Sequence, residues 1–155
     1  MSIESILKRS IVESECVWRA TGKISYLSNQ DIFYLRNYSS GKGLRQFRYC
    51  LHEKNEDTLQ KMLIFHNRPQ VINWHAQLNR PGYVYYICLE GEVEIVVKEK
   101  KFVSHRLGTK CSLLSQICLP RDLFRRVITN SSNSIFLEIA EGPFADSDTI
   151  WSVSL

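Results

Sequence analysis

The sequence predicts a mainly β fold, an antiparallel sandwich or a closed small barrel, with helical segments in front of it. Short runs rich in β-branched and aromatic residues recur at 44–51, 59–65, 71–74, 83–89, 92–98, 101–107, 115–119, 125–129 and 134–141. Turn residues punctuate them at Asn67-Arg68-Pro69, Arg80-Pro81-Gly82, Glu90-Gly91, Glu99-Lys100, Gly108, Leu119-Pro120 and the stretch from Asn130 to Asn133. No helical periodicity falls between these runs, as expected where strands are joined by turns rather than by crossover helices.

Ahead of the strands, Ile3, Ile6, Leu7 and Ile11 fall at helical spacing and predict a short amphipathic helix over 2–12. A second helix begins at Ser28, a capping residue with Asp31 three positions on, and Ile32, Phe33 and Leu35 supply its apolar face. The breaker Ser39-Ser40-Gly41-Lys42-Gly43 ends it and is too irregular for a phosphate loop. We divide the chain into an extension over 1–21 and one domain over 22–155.

Of 155 residues, 44% are hydrophobic and 23% charged, which suits one globular domain and excludes disordered and collagen-like classes. The longest apolar run, 84–89, stops at Glu90, so no membrane span is expected. The first residues lack a secretory pattern, and a cytoplasmic location is expected. Twenty basic residues are scattered among 16 acidic ones, so no nucleic-acid partner is expected, although Lys42, Arg45 and Arg48 cluster, as do Arg121, Arg125 and Arg126. Cys16, Cys50, Cys88, Cys111 and Cys118 form an odd set without a Cys-x-x-Cys pair and read as reduced, mostly buried residues.

Four blocks carry a family resemblance: Leu51-His52-Glu53 with Asp57 and Gln60-Lys61-Met62-Leu63; Leu89-Glu90-Gly91-Glu92; Leu119-Pro120-Arg121 through Val127; and Leu137-Glu138 through Glu141-Gly142-Pro143-Phe144. Together with the helix and basic turn over 24–48, they resemble the WbuC-type small cupins across about residues 22–146. The resemblance implies a cupin double-stranded β-helix, a jelly-roll barrel, here with an N-terminal helical extension. It also implies a metal held by His-x-His, a Glu and a second His. Asn73-Trp74-His75 stands at the His-x-His, Val84 at the Glu and Arg125 at the last His, so one ligand of four is kept. A divalent ion needs several donors together, and a guanidinium repels it. No cofactor is therefore expected, and Zn, Fe, Mn or Ni enters only through a site rebuilt from other residues such as His52 and Glu53.

If Asn73 and His75 face the barrel, strand alternation brings Val84, Tyr86 and Cys88 inward, with Arg125 from the second motif. Asn73, His75, Tyr86, Arg125 and His52 then form the candidate binding set for a small anionic or nucleotide-sugar-like ligand, since Arg offers a planar fork to phosphate or carboxylate. The resemblance connects such a protein with O-antigen and other surface polysaccharide biosynthesis. A second reading makes it a metal-independent sugar isomerase or epimerase, His75 acting as base and Tyr86 as acid, with Glu53 or Asp57 orienting the histidine. Glu138 and Glu141 receive no chemistry. The aromatic run over 84–87 could pair two copies into a homodimer.

Overall fold

The computed structural model describes residues 3–22, 25–78, 81–143 and 145–152. Ile24, Arg80 and Phe144, used in the sequence reading, lie outside the described residues. The chain runs α1 (Ile3–Leu7), β1 (Ser10–Ser14), β2 (Val17–Ala20), α2 (Asn29–Gly41), β3 (Gln46–Cys50), β4 (Leu59–His66), β5 (Gln70–Ala76), β6 (Tyr83–Glu90), β7 (Glu92–Lys98), β8 (Phe102–Gly108), β9 (Gln116–Pro120), β10 (Arg125–Thr129), β11 (Ser134–Glu141), a 3-10 turn (Asp146–Asp148) and β12 (Ile150–Ser152).

Two sheets face each other in a jelly roll. One has the order β1-β2-β3-β4-β11-β6-β9, the other β12-β5-β10-β7-β8. Among the described residues, the strand-to-strand pairings are antiparallel except β2 with β3. Gly91 carries the chain from the first sheet to the second at φ +73°, and a Cβ there would lie 2.8 Å from Ser134 Oγ, so this corner requires glycine.

The larger sheet is covered on both faces where β3, β4 and β11 run. Inward, Ile64, Phe136, Val84 and Leu119 meet Val93, Ile95, Val97 and Val127 of the opposite sheet. Outward, Phe47, Tyr49, Leu63, Phe65 and Ile135 pack under Ile6, Trp18 and Leu35. This second apolar layer is why these strands read as nearly continuous hydrophobic runs rather than alternating ones.

Among the described residues of the helix expected over 2–12, only Ile3–Leu7 is helical; a turn at Lys8 and Arg9 leads into strand β1, where Ile11 and Val12 are exposed. β-branched residues on an edge strand satisfy their backbone by pairing with β2, which a single exposed helical turn cannot match. α2 starts as expected: Ser28 Oγ accepts from Asp31 N at 3.2 Å, and Asp31 Oδ2 accepts from Ser28 N at 2.8 Å. Asp31 also pairs with Arg9 at 2.7 Å. Burial works against the charge of Asp31, but the Ser28 bonds and Arg9 outweigh it and hold its carboxyl below the ordinary range. Ser28→Ala should therefore cost about 1 kcal/mol, read from the urea midpoint. The helix continues through Ser39-Ser40-Gly41 instead of breaking there, because Ser39 Oγ donates to Arg36 O within the last turn. Phe33 is exposed rather than part of the buried face. Three cysteines, Cys16, Cys111 and Cys118, are exposed and only Cys50 and Cys88 are buried, against the expectation of mostly buried thiols. Among the described residues, no helix is long and apolar enough to cross a membrane.

Candidate functional site

A cavity of about 540 Å³ opens between the sheets, within the range of small-molecule sites. Register explains its lining. Across the larger sheet, Arg19 lies opposite Cys50, Cys50 opposite Met62, Met62 opposite Glu138 and Glu138 opposite Tyr86, so one inward row runs from the N-terminal hairpin to β6. Across the smaller sheet, Trp151 lies opposite His75 and His75 opposite Arg125.

Arg125 is only 1% exposed and lines the cavity. Its Nε donates to Tyr86 Oη at 2.9 Å and its Nη1 to Arg121 O at 3.2 Å. Burial opposes its charge, but the Tyr86 oxygen and Glu138 overcome this and raise its pKa further. Its neighbour Arg126 points outward, 5.5 Å above the Trp74 ring. Arg121 is buried and ties three segments together: Nε donates to Gln77 Oε1 at 2.7 Å and Nη1 to Glu141 O.

His75 lies against the cavity with its Nδ1 2.8 Å from the carbonyl of Asn73. The carbonyl can only accept, so Nδ1 carries the proton and Nε2 keeps its lone pair. Desolvation, then the charges of Arg125 and Arg48, push its pKa down to about 4, so the ring is neutral at neutral pH. His52 also lines the cavity, and its Nδ1 accepts from Lys61 N at 3.0 Å. Burial and the nearby Arg19 lower its pKa too. With both imidazoles neutral, the lining carries three guanidinium groups, Arg19, Arg48 and Arg125, against the carboxylates Glu13 and Glu138.

Several sequence-based placements need correction. Asn73 is exposed and does not line the cavity. The β5–β10 register shifts between Arg125 and Val127, so a bulge at 73–74 keeps Ile72 and His75 inward while Asn73 turns out. Tyr86 faces the barrel but lies behind the cavity wall, fully buried, its hydroxyl engaged by Arg125 and Glu138. Desolvation drives its pKa up. Neither Glu53 nor Asp57 orients His75. Asp57 Oδ2 instead accepts from the backbone of Glu53 at 2.8 Å and of Lys54 at 3.2 Å, closing the 51–58 loop. Gln60 stitches that loop by donating to the carbonyls of Lys54, Asn55 and Asp57. Gly142 packs on the same loop, where a Cβ would fall 1.9 Å from Asp57 O, so the two most specific blocks of the family resemblance abut in space.

The sequence reading missed Arg19, Glu13, Gln77, Glu138 and Trp151. Glu138 sits between Phe136 and Ala140 on the inward side of β11, and period-two counting from Phe136 places it in the barrel. Trp151 comes from β12, and its ring lies 5.1 Å from that of His75.

The inherited metal site does not fit these residues. His75 is in register with Arg125, and a divalent ion about 4 Å from a guanidinium is repelled by roughly 8 kcal/mol at an effective dielectric of ~20. No group of three or more His, Cys, Asp or Glu among the described residues is arranged to hold a metal.

No family model matches the sequence, and no curated protein matches it. Solved structures do resemble the fold. A protein from Shewanella oneidensis, SO0799, aligns with a TM-score of 0.54 at 12% identity over 63% of this chain and 63% of its own. Oxalate decarboxylase from Bacillus subtilis aligns at 0.51 and 12% identity over 62% of this chain and 24% of its own. A cupin superfamily protein from Desulfitobacterium hafniense aligns at 0.50 and 14% identity over 62% of this chain and 76% of its own. The chain thus spans less than two thirds of the first two neighbours, and at these identities the likeness is one of fold. With the paired sheets and the strand order described above, it shows that this chain has the cupin jelly-roll fold.

Proposed function

We propose that the barrel binds a small anionic, sugar-like ligand without a metal. The observation that carries this is Arg125, a buried guanidinium facing the cavity beside a neutral His75, with Arg48 at the exposed rim. A cavity whose positive groups outnumber its carboxylates, in a site drier than bulk water, favours a phosphate or carboxylate on its ligand. The resemblance to the WbuC-type cupins points to O-antigen or other surface polysaccharide biosynthesis as the setting.

Binding is favoured over isomerase or epimerase chemistry by the same geometry. A base with a pKa of about 4 is a weak proton acceptor at neutral pH. Tyr86 is held away from the cavity by Arg125.

Thermal denaturation with D-glucuronate, glucose 1-phosphate and UDP-glucose tests this reading. A ligand at a hundred times its Kd should stabilise the protein by about 2.7 kcal/mol. The gain should shrink in Arg48→Ala, whose side chain lies at the rim and whose loss leaves the core intact. No stabilisation by any of the three would contradict the proposal.

A further inference from the structure

Trp151 differs from the other two tryptophans. Trp18 is 2% and Trp74 8% exposed, both locked in packing, whereas Trp151 is 60% exposed and lines the cavity. Its ring lies 5.1 Å from that of His75 at a tilt of 37°. This large apolar ring stands open at the mouth of a polar pocket. An indole left in water forgoes the burial of a large apolar surface, and one standing over a cavity is placed for a ligand to cover it.

The polar lining narrows what that ligand is. The carboxylates of exposed Glu13 and half-buried Glu138 line the cavity together with Arg19, Arg48 and Arg125. Carboxylates repel a bare inorganic anion but accept hydrogen bonds from hydroxyl groups. Arg19 is 7% exposed, its Nε bound to Glu13 and its Nη2 to Asn55, while its Nη1 has no partner among the described residues. A molecule with an apolar ring face, several hydroxyls and one acidic group meets all three features. The positive edges of ring C–H bonds are matched by the negative face of the indole.

Building on the reading of the cavity as an anion site, we propose that Trp151 is the stacking surface for the ring of an acidic pyranose, whose hydroxyls face Glu13 and Glu138 and whose acidic group faces the guanidinium cluster. The segment after the last jelly-roll strand then supplies specificity, and the N-terminal hairpin supplies Glu13 and Arg19 to the same ligand.

Calorimetric titration of the full chain and of Trp151→Ala and Trp151→Phe with D-glucuronate, glucose 1-phosphate, inorganic phosphate and UMP tests this. The two sugars should bind the native chain at least about tenfold tighter than phosphate, and Trp151→Ala should remove about tenfold of their affinity while leaving phosphate unchanged. Trp151→Phe, which keeps a ring, should retain most of it, and both sugars should alter the tryptophan fluorescence of the native chain. If phosphate binds as tightly as the sugars and Trp151→Ala changes nothing, the stacking proposal is overturned while the anion site stands. Preference for UMP would replace the pyranose by a base and overturn it as well. Failure of every probe to bind would remove the anion site itself, and the proposal with it.

Discussion

Taken from pH 7 to pH 4, the protein should lose roughly 6 kcal/mol of folding stability, about 3 kcal/mol from each of His66 and His75. His66 is fully buried on β4, its Nδ1 3.0 Å from Thr129 Oγ1 and its Nε2 unpartnered among the described residues, with its ring edge-on to Phe136. Desolvation, aided by the charge of Arg48, lowers its pKa to about 4. Both rings therefore have folded pKa values below the unfolded value of 6.5. Above pH 6.5 neither state binds the proton and the histidines cost nothing. Below it the unfolded chain takes up protons that the folded chain refuses, so stability falls until the folded groups titrate near pH 4. Asp31, whose carboxyl is held below its ordinary 3.8, contributes stability that disappears only at still lower pH. Urea melts at half-unit intervals measure the slope. His66→Gln shifts the whole curve by a constant but should cut the loss between pH 7 and 4 to about half. A slope unchanged by His66→Gln would show that the buried imidazole is not what titrates.

Arg125→Met should destabilise the protein by about 1–3 kcal/mol, because the substitution leaves the buried Tyr86 hydroxyl and the half-buried Glu138 without their cation. Glu138→Met should also destabilise it, through the uncompensated guanidinium. The double variant should cost less than the sum, with a coupling of about 1–3 kcal/mol, since two apolar side chains replace a network that is itself expensive to desolvate. Chemical denaturation of the four proteins completes the cycle. Additive single effects, or an Arg125→Met cost under about 1 kcal/mol, would mean that the guanidinium is solvated and uncoupled from Glu138.

Much of the barrel was legible because its strands carry β-branched residues between strong turn residues. The strands at 92–98, 125–129 and 134–141 fall where the sequence places them. β1, β2 and β12 were not read, because each is three to five residues long and too short to show a period. The cost of that gap fell on the site, since Glu13, Arg19 and Trp151 belong to those strands. Asn73 was misplaced by one inserted residue, the bulge in β5, and a shift of one reverses the face of a side chain. Glu138 was overlooked for a different reason. Ile135 and Leu137 of β11 face the helical layer while Phe136 and Ala140 face the barrel, so no apolar-to-polar contrast marked which side was inside. Arg125 followed from its alignment with the second cupin motif, and the opposed direction of Arg126 against Trp74 shows the register that alternation requires.

The claim on which the rest depends is that the pocket beside His75 accepts negative charge instead of a cation. Nitrogen-15 NMR of the imidazole of His75, recorded at pH 7 with one equivalent of Zn²⁺ and then with D-glucuronate, tests it most directly. The structure leads us to expect a neutral ring protonated on Nδ1, unmoved by zinc and shifted by the acidic sugar. A zinc-bound Nε2 resonance in slow exchange, with no response to glucuronate, would contradict it.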